Sequence, residues 1–153
     1  MKIRLARDGD YAAISRLCRQ TINNINSKDY AEDLVNVWSS RSNTDRFRSS
    51  ADKCKRWVAV EDDKIVGFCD HSFDCEVWGL YINKDYIGKG LGSRLLKVAE
   101  DSLKKQGCKK ITLKSTITAK EFYKKQGYKV VKKDMHPVGD KKMEIFVMVK
   151  DIK

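Results

Sequence analysis

The amino-acid sequence predicts a mixed α/β (α+β) fold, with a mostly antiparallel twisted sheet of about six to seven strands flanked by about four helices. Three observations carry this prediction. Arg56 to Glu61 and Ile65 to Cys69 read as two strands around the turn Asp62-Asp63-Lys64, the pattern of a hairpin. Leu91, Leu95, Leu96, Ala99 and Leu103 recur at helical spacing. Residues 110–132 read as a strand, a short helix and a second strand.

The elements follow in order. Ile3 and Leu5 alternate with charged neighbours over Lys2 to Ala6, which suits a first strand. Asp8-Gly9-Asp10 offers a helix start, and Ile14, Leu17, Cys18, Thr21 and Ile22 recur at helical spacing behind it. A helical region with Leu34, Val35, Val37 and Trp38 lies within Ala31 to Ser50; its Ser-Arg-Ser-Asn-Thr centre predicts two pieces. The hairpin 56–69 is followed by an apolar strand from Cys75 to Ile82. After Asn83-Lys84-Asp85 comes a glycine-rich turn and then the helix carrying Leu91 to Leu103, which Gly107 ends. Lys110 to Lys114 forms a strand, Thr118 to Gln126 a helix, Tyr128 to Lys132 a strand, and Met143 to Val149 a last strand. The single proline, Pro137, is expected in a turn near Gly139-Asp140.

With 153 residues, 41% hydrophobic content and no low-complexity tract or linker, residues 1–153 are expected to form one domain. No apolar run is long enough to span a membrane. No apolar leader precedes the first strand either, so the expected setting is cytoplasmic. The five cysteines (Cys18, Cys54, Cys69, Cys75, Cys108) are scattered and lack a C-x-x-C pair, and His71 and His136 are far apart. The expectation is reduced, buried thiols and no metal, His71 near Cys69 and Cys75 being the nearest approach to a ligand set. A net charge of +11 favours phosphate-bearing ligands, whether nucleic acid or a phosphorylated cofactor, unless the lysines merely solvate helix faces.

The most informative stretch is Tyr86-Ile87-Gly88-Lys89-Gly90-Leu91-Gly92-Ser93-Arg94-Leu95-Leu96, between a strand and a helix. Glycines let a backbone approach a ligand closely, and the free N–H groups of a helix start favour an anion. The stretch lacks the G-x-x-x-x-G-K-[ST] of a P-loop. A G-x-G-x-x-G reading starting at Gly88 meets Ser93 in place of its third glycine, and one starting at Gly90 meets Leu95.

From Glu76 to Tyr128 the sequence instead resembles the GNAT superfamily of acetyl-CoA-dependent N-acyltransferases. Gly90 and Gly92 match that family's Q/R-x-x-G-x-G/A turn. Ala119-Lys120-Glu121-Phe122-Tyr123-Lys124-Lys125-Gln126-Gly127-Tyr128 resembles its A-x-x-F-Y-x-x-x-G-F/Y. The opening Ile3 to Asp10 is similar to the family's first strand and helix start. One position departs: Ile87 stands where Gln or Arg is usual, which implies weaker cofactor affinity but retained binding.

The resemblance implies a GNAT-like fold and transfer of acetyl from acetyl-CoA to a primary amine by direct attack in a ternary complex, without a metal. It implies cofactor contacts from Leu80, Tyr81 and Ile82 along the pantetheine arm, and from Gly88, Lys89, Gly90, Leu91, Gly92 and Ser93 around the pyrophosphate. Tyr123 falls on the tyrosine that approaches the coenzyme A sulfur and is the expected general acid. Glu76 aligns with the strand glutamate that histone acetyltransferases use through water, and is the expected general base, with Asp74 as substitute. Alternation would put Glu76, Trp78, Leu80 and Ile82 on one face unless a bulge intervenes.

Tyr30, Trp38 and the loop Met135 to Gly139 are expected near the acceptor, with Trp38 the more core-like. The acceptor is a small-molecule or peptide amine, and basic surroundings would favour one carrying a carboxylate or phosphate. No membrane partner is expected, nucleic acid is disfavoured, and a homodimer is compatible with the sequence. The alternative is a non-catalytic, basic nucleic-acid-binding or regulatory module on the same fold, against which stands the lack of any nucleic-acid motif.

Overall fold

The computed structural model describes residues 1–152, arranged around a seven-stranded sheet in the order β1-β2-β3-β4-β5-β7-β6. The strands are β1 (Lys2–Leu5), β2 (Cys54–Glu61), β3 (Lys64–Ser72), β4 (Glu76–Ile82), β5 (Lys110–Thr116), β6 (Lys129–Val138) and β7 (Lys141–Asp151). The helices are α1 (Tyr11–Asn24), α2 (Glu32–Arg41), α3 (Thr44–Ser49), α4 (Leu91–Lys105) and α5 (Lys120–Lys125). Five helices replace the expected four or so because residues 31–50 do break in two. Asn43 caps α3 by accepting from the Arg46 N–H, and this local bond competes with continuing α2. All strand pairs are antiparallel except β4 and β5.

Helices cover both faces of the sheet. Consecutive residues of a strand point to opposite sides, so Val58 and Phe68 face one way while Ala59 and Cys69 face the other. The first face packs under α1, with Ile14, Leu17, Cys18 and Ile22, and continues under α2, where Leu34 meets Met143 and Ile145. The second packs under α4 and α5, with Leu95, Leu96, Ala99, Leu103 and Tyr123. Truncating one of these buried leucines to alanine would cost about 2–5 kcal/mol.

Two polar networks lie within this frame. Arg56 Nε donates to Asp70 Oδ2 at 2.9 Å, and the same guanidinium donates to the Phe47 carbonyl, joining β2 and β3 to α3. Burial pushes the Asp70 carboxyl pKa up, and the Arg56 charge opposes that shift. On the other face, Tyr128 donates to Glu100 Oε2 at 2.7 Å, and Lys150 Nζ bonds the same carboxylate.

Three expectations meet the structure differently. Pro137 lies within β6 and not in the turn, which is Gly139-Asp140 with Gly139 at φ 62°. β6 is the edge strand, where a missing N–H on the open side costs no ladder bond. Residues 135–138, expected as loop, are therefore strand.

The cysteines are not all reduced: Cys75 and Cys108 form a disulfide with Cα atoms 5.7 Å apart. Each precedes one of the two parallel strands, and parallel pairing sets their starts side by side. A sequence separation of 33 residues concealed this. The other three thiols are buried and free; burial raises Cys18 and Cys54 to about 11 and pushes Cys69 well above the ordinary thiol value.

His71 is fully buried, with Nδ1 2.9 Å from the Ser72 carbonyl and the Trp57 indole N–H 3.5 Å from Nε2. Among the described residues no group of three or more His, Cys, Asp or Glu side chains is placed to hold a metal. No helix is long and apolar enough to cross a membrane.

Candidate active site

The site begins where β4 and β5 part. Their parallel pairing covers only Glu76↔Thr112 and Val77↔Leu113, preceded by the Thr112 N–H donating to the Cys75 carbonyl at 3.0 Å. Beyond Val77 the β5-facing edge of β4 has no partner, so the backbone polar groups of Leu80, Tyr81 and Ile82 on that edge remain available.

The cause is a bulge. On its other side β4 pairs with β3 as Val77↔His71 and Gly79↔Asp70, which leaves Trp78 as the extra residue. A bulge bends a strand and increases its twist, turning the rest of β4 away from β5.

The bulge also corrects the expected face. Val77, Leu80 and Ile82 pack with the α4 cluster, while Tyr81 stacks on Phe68 beneath α1. Glu76, next to Val77, thus points to the α1/α2 face, opposite Leu80 and Ile82. Trp78 is 42% exposed, and its indole N–H donates to Glu76 Oε1 at 3.2 Å. Glu76 is half-buried; Asp74 is exposed at the β3–β4 turn.

The glycine turn forms the mouth of the gap. Gly88 and Gly90 have φ 81° and 82°, conformations costly for other residues. The first helical bond of α4 runs from the Arg94 N–H to the Gly90 carbonyl. The N–H groups of Leu91, Gly92 and Ser93 therefore have no helical acceptor. Gly92 lets the helix start close to α5: a Cβ there would stand 3.3 Å from the Phe122 ring, which would have to give way.

The Ser93 hydroxyl is engaged by Gln126 Nε2 at 3.0 Å, which leaves its backbone N–H as its contribution to the mouth. Lys89 lies over the Tyr86 ring, and the Tyr86 hydroxyl bonds Glu61 on β2, anchoring the loop. Ile87 is 51% exposed.

Tyr123 lies on the α4 side of the sheet. It is buried in the cluster that holds Val77, Leu80 and Leu113. Burial pushes its phenol pKa well above the ordinary value, with the charges of Cys69 and Asp70 adding to the shift. Its neighbour Tyr128 has a hydroxyl committed to Glu100; that of Tyr123 has no hydrogen bond among the described residues. Tyr123 and Glu76 thus lie on opposite faces of the sheet.

The α1/α2 face at the gap can be read from register, since directly opposed residues share a face. Glu76 lies across from Thr112, Lys114 from Val147, Thr116 from Ile145, and His136 from Met143. Met143 and Ile145 pack beneath α2, which fixes the orientation of the row. His136 is half-buried. Burial lowers its imidazole pKa, as do the charges of Lys114 and Arg46, while Glu76 and Asp134 oppose them. Sequence reasoning named His136 but not the Lys114 and Arg46 charges that act on it.

Tyr30 does stand on this side, but as a strut. Its hydroxyl donates to the Glu144 carbonyl at 2.7 Å and accepts from the Ile117 N–H at 2.8 Å, tying the α1–α2 connection to the far end of β5. Burial raises that phenol to about 12. Trp38 packs edge-on against Tyr30 and joins the α1 and α2 clusters, as expected of a core-like residue.

A model of the acetyltransferase (GNAT) domain matches residues 26–148. The uncharacterized N-acetyltransferase YafP of Escherichia coli (strain K12) is 25% identical over 135 residues, covering 86% of this chain and 83% of that protein. The GCN5-related N-acetyltransferase of Rhodopseudomonas palustris has the same fold, with a TM-score of 0.93 at 20% identity over 99% of this chain and 95% of that one. PaiA N-acetyltransferase of Thermoplasma acidophilum, solved in complex with coenzyme A, gives 0.81 at 23% identity over 99% and 100%. The family match spans most of the chain and includes both the parted strands and the glycine turn. This protein is an acyltransferase and belongs to the GNAT family of N-acetyltransferases.

Proposed function

We propose that residues 1–153 form one catalytic domain that transfers an acetyl group from acetyl-CoA to a primary amine of a small molecule or peptide, by direct attack in a ternary complex. The observation that carries this reading is the meeting of two unsatisfied backbone surfaces: the free edge of β4 beyond Val77 and the free N–H groups of Leu91 to Ser93. The first suits the amides of a pantetheine arm, added like an extra strand. The second, with Gly88, Lys89 and Gly90, suits a pyrophosphate. PaiA, bound to coenzyme A, shares this fold.

The chemistry divides across the sheet. On the α1/α2 face Glu76 accepts the proton of the incoming ammonium through a water, freeing the nitrogen lone pair to attack the thioester carbon. The carbonyl electrons move to oxygen, where a β4 N–H stabilises them, and return as the C–S bond breaks, while the attacking nitrogen, now cationic, gives its second proton through water to the departing thiolate. On the other face Tyr123 donates a hydrogen bond to the departing sulfur. Its raised pKa keeps it protonated and makes it a stabiliser of the thiolate more than a source of a free proton. Acyl-CoA thioesters are made inside cells, so the cytoplasm is the proposed compartment. The disulfide removes the cysteines as an argument for it.

Calorimetric titration with acetyl-CoA, followed by thiol-release assays over an amine panel, tests the proposal. The expected result is binding and amine-dependent release. Absence of heat at millimolar acetyl-CoA, together with salt-sensitive binding to nucleic acid, would favour the basic module instead.

A further inference from the structure

The backbone at Glu76 is fixed more tightly than its side chain. Ser72 Oγ accepts from the Asp74 N–H at 3.0 Å and from the Glu76 N–H at 3.2 Å, gathering the β3–β4 turn onto one hydroxyl. Cys75, the residue before, is cross-linked to Cys108, and its carbonyl accepts from the Thr112 N–H at 3.0 Å. Glu76 itself lies opposite Thr112 in the parallel pair. What remains free is the side chain, whose carboxylate can turn about several bonds.

One contact holds it. The Trp78 indole N–H donates to Glu76 Oε1 at 3.2 Å, and among the described residues that carboxylate has no other hydrogen bond and no ion pair. Other carboxylates in the protein are held by cations: Asp10 by Arg4, Asp70 by Arg56 and Glu100 by Lys150. The indole is a neutral group that can only donate. It fixes the direction of a carboxylate without setting a positive charge where an ammonium must arrive, and it leaves Oε2 open. Trp78 is the bulge residue of β4, without a partner on β3, and is 42% exposed, so core packing does not account for it.

We infer that Trp78 is a positioning residue for acetyl transfer: its N–H holds Glu76 Oε1 so that Oε2 meets the water that takes the proton of the amine. The inference rests on the reading of Glu76 as base in the acetyltransferase above, and adds a residue that lies outside the family motifs. A base works only within hydrogen-bond reach of the proton it takes, so a carboxylate free to rotate is misdirected for part of the time. The extra residue that opens the β4 edge thus also aims the base.

The test is a double-mutant cycle of Trp78→Phe and Glu76→Gln, read by thiol release at saturating acetyl-CoA with varied amine. Phenylalanine keeps an aromatic ring and removes the donor. Trp78→Phe should lower kcat about tenfold, a part of the hundredfold or more that a placed base supplies. KM for the amine should stay within about twofold, and the acetyl-CoA binding heat should be retained. In the Glu76→Gln background the same substitution should change kcat by less than about twofold, because no carboxylate is left to aim. Trp78→Gln, whose amide nitrogen stands as many bonds from the backbone as the indole nitrogen, should recover most of the loss.

The inference is overturned if Trp78→Phe keeps full turnover, if it lowers kcat equally in both backgrounds, or if Trp78→Gln is as impaired as Trp78→Phe. Loss of acetyl-CoA binding in Trp78→Phe would overturn it too, by showing that the ring serves the fold. Full turnover in Glu76→Gln would remove the base and this inference while the acetyltransferase reading stands. Failure of the unmutated protein to bind acetyl-CoA would remove both.

Discussion

The two ends of β4, a strand of only seven residues, behave oppositely. At the Glu76 end the strand is hydrogen-bonded on both edges, and the Cys75–Cys108 disulfide ties it to the start of β5. At the Ile82 end it is bonded only to β3 and leads into a turn of left-handed glycines. The difference teaches how a sheet can offer an extended ligand a free backbone edge without a deep cavity. One end is a fixed pivot; the other exposes backbone donors and acceptors because its partner strand has been bent away. The Trp78 bulge separates the two, and the residues proposed for chemistry, Glu76 and Tyr123, lie on opposite faces of the sheet.

The largest expected effect comes from releasing the pivot. Cross-linking residues 33 apart should stabilise the fold by about 3–4 kcal/mol through the entropy of the unfolded chain. Denaturation of the Cys75→Ser/Cys108→Ser variant, or of the reduced protein, should show a loss of that order. No change in the denaturation midpoint would mean that the pivot is held by hydrogen bonds alone.

At the separation itself, Tyr123→Phe should lower kcat about a hundredfold, the range typical of a positioned proton or hydrogen-bond donor. Acetyl-CoA affinity should stay nearly constant by calorimetry. Full turnover in this variant would take Tyr123 out of the chemistry.

At the open end, Ile87→Arg restores the side-chain type usual for the family. The exposed position should tolerate it, and one new surface charge facing a pyrophosphate should tighten acetyl-CoA binding about fivefold. An unchanged dissociation constant would show that the turn binds through its backbone alone.

The smallest effect lies away from β4 and calibrates the others. Asp10 accepts from Arg4 at 2.7 Å and from the Arg7 N–H, and the Arg4 bond foremost lowers its carboxyl pKa. A lowered folded-state pKa contributes stability above the ordinary carboxylate range and loses it as pH falls through the folded value. Asp10→Asn should therefore lower Tm by about 1–2 °C at neutral pH, and the gap should close in acid. A gap independent of pH would mean that the ion pair is not its source.

Local chemistry made much of the molecule legible in the sequence. Glycine is needed wherever φ is positive at a helix mouth, so Gly88 and Gly90 announced the turn. A 3.6-residue repeat of leucines can bury only one helix face, so α4 could be placed with its inner residues. The broken polar run at Ser42-Asn43 ended α2 for the same local reason. Tyr123 was reached through the motif that contains it.

What the tertiary structure decided has a different physical origin: contacts between residues distant in sequence, and one local irregularity that reverses everything after it. A single extra residue at position 78 flips side-chain direction along a strand, which moved Leu80 and Ile82 away from the face of Glu76. Cys75 and Cys108 became partners because parallel strands bring their starts together. Glu100, Tyr128 and Lys150 meet only after three separate elements pack. Charge and polarity along a chain give no account of such meetings until the fold sets the distances.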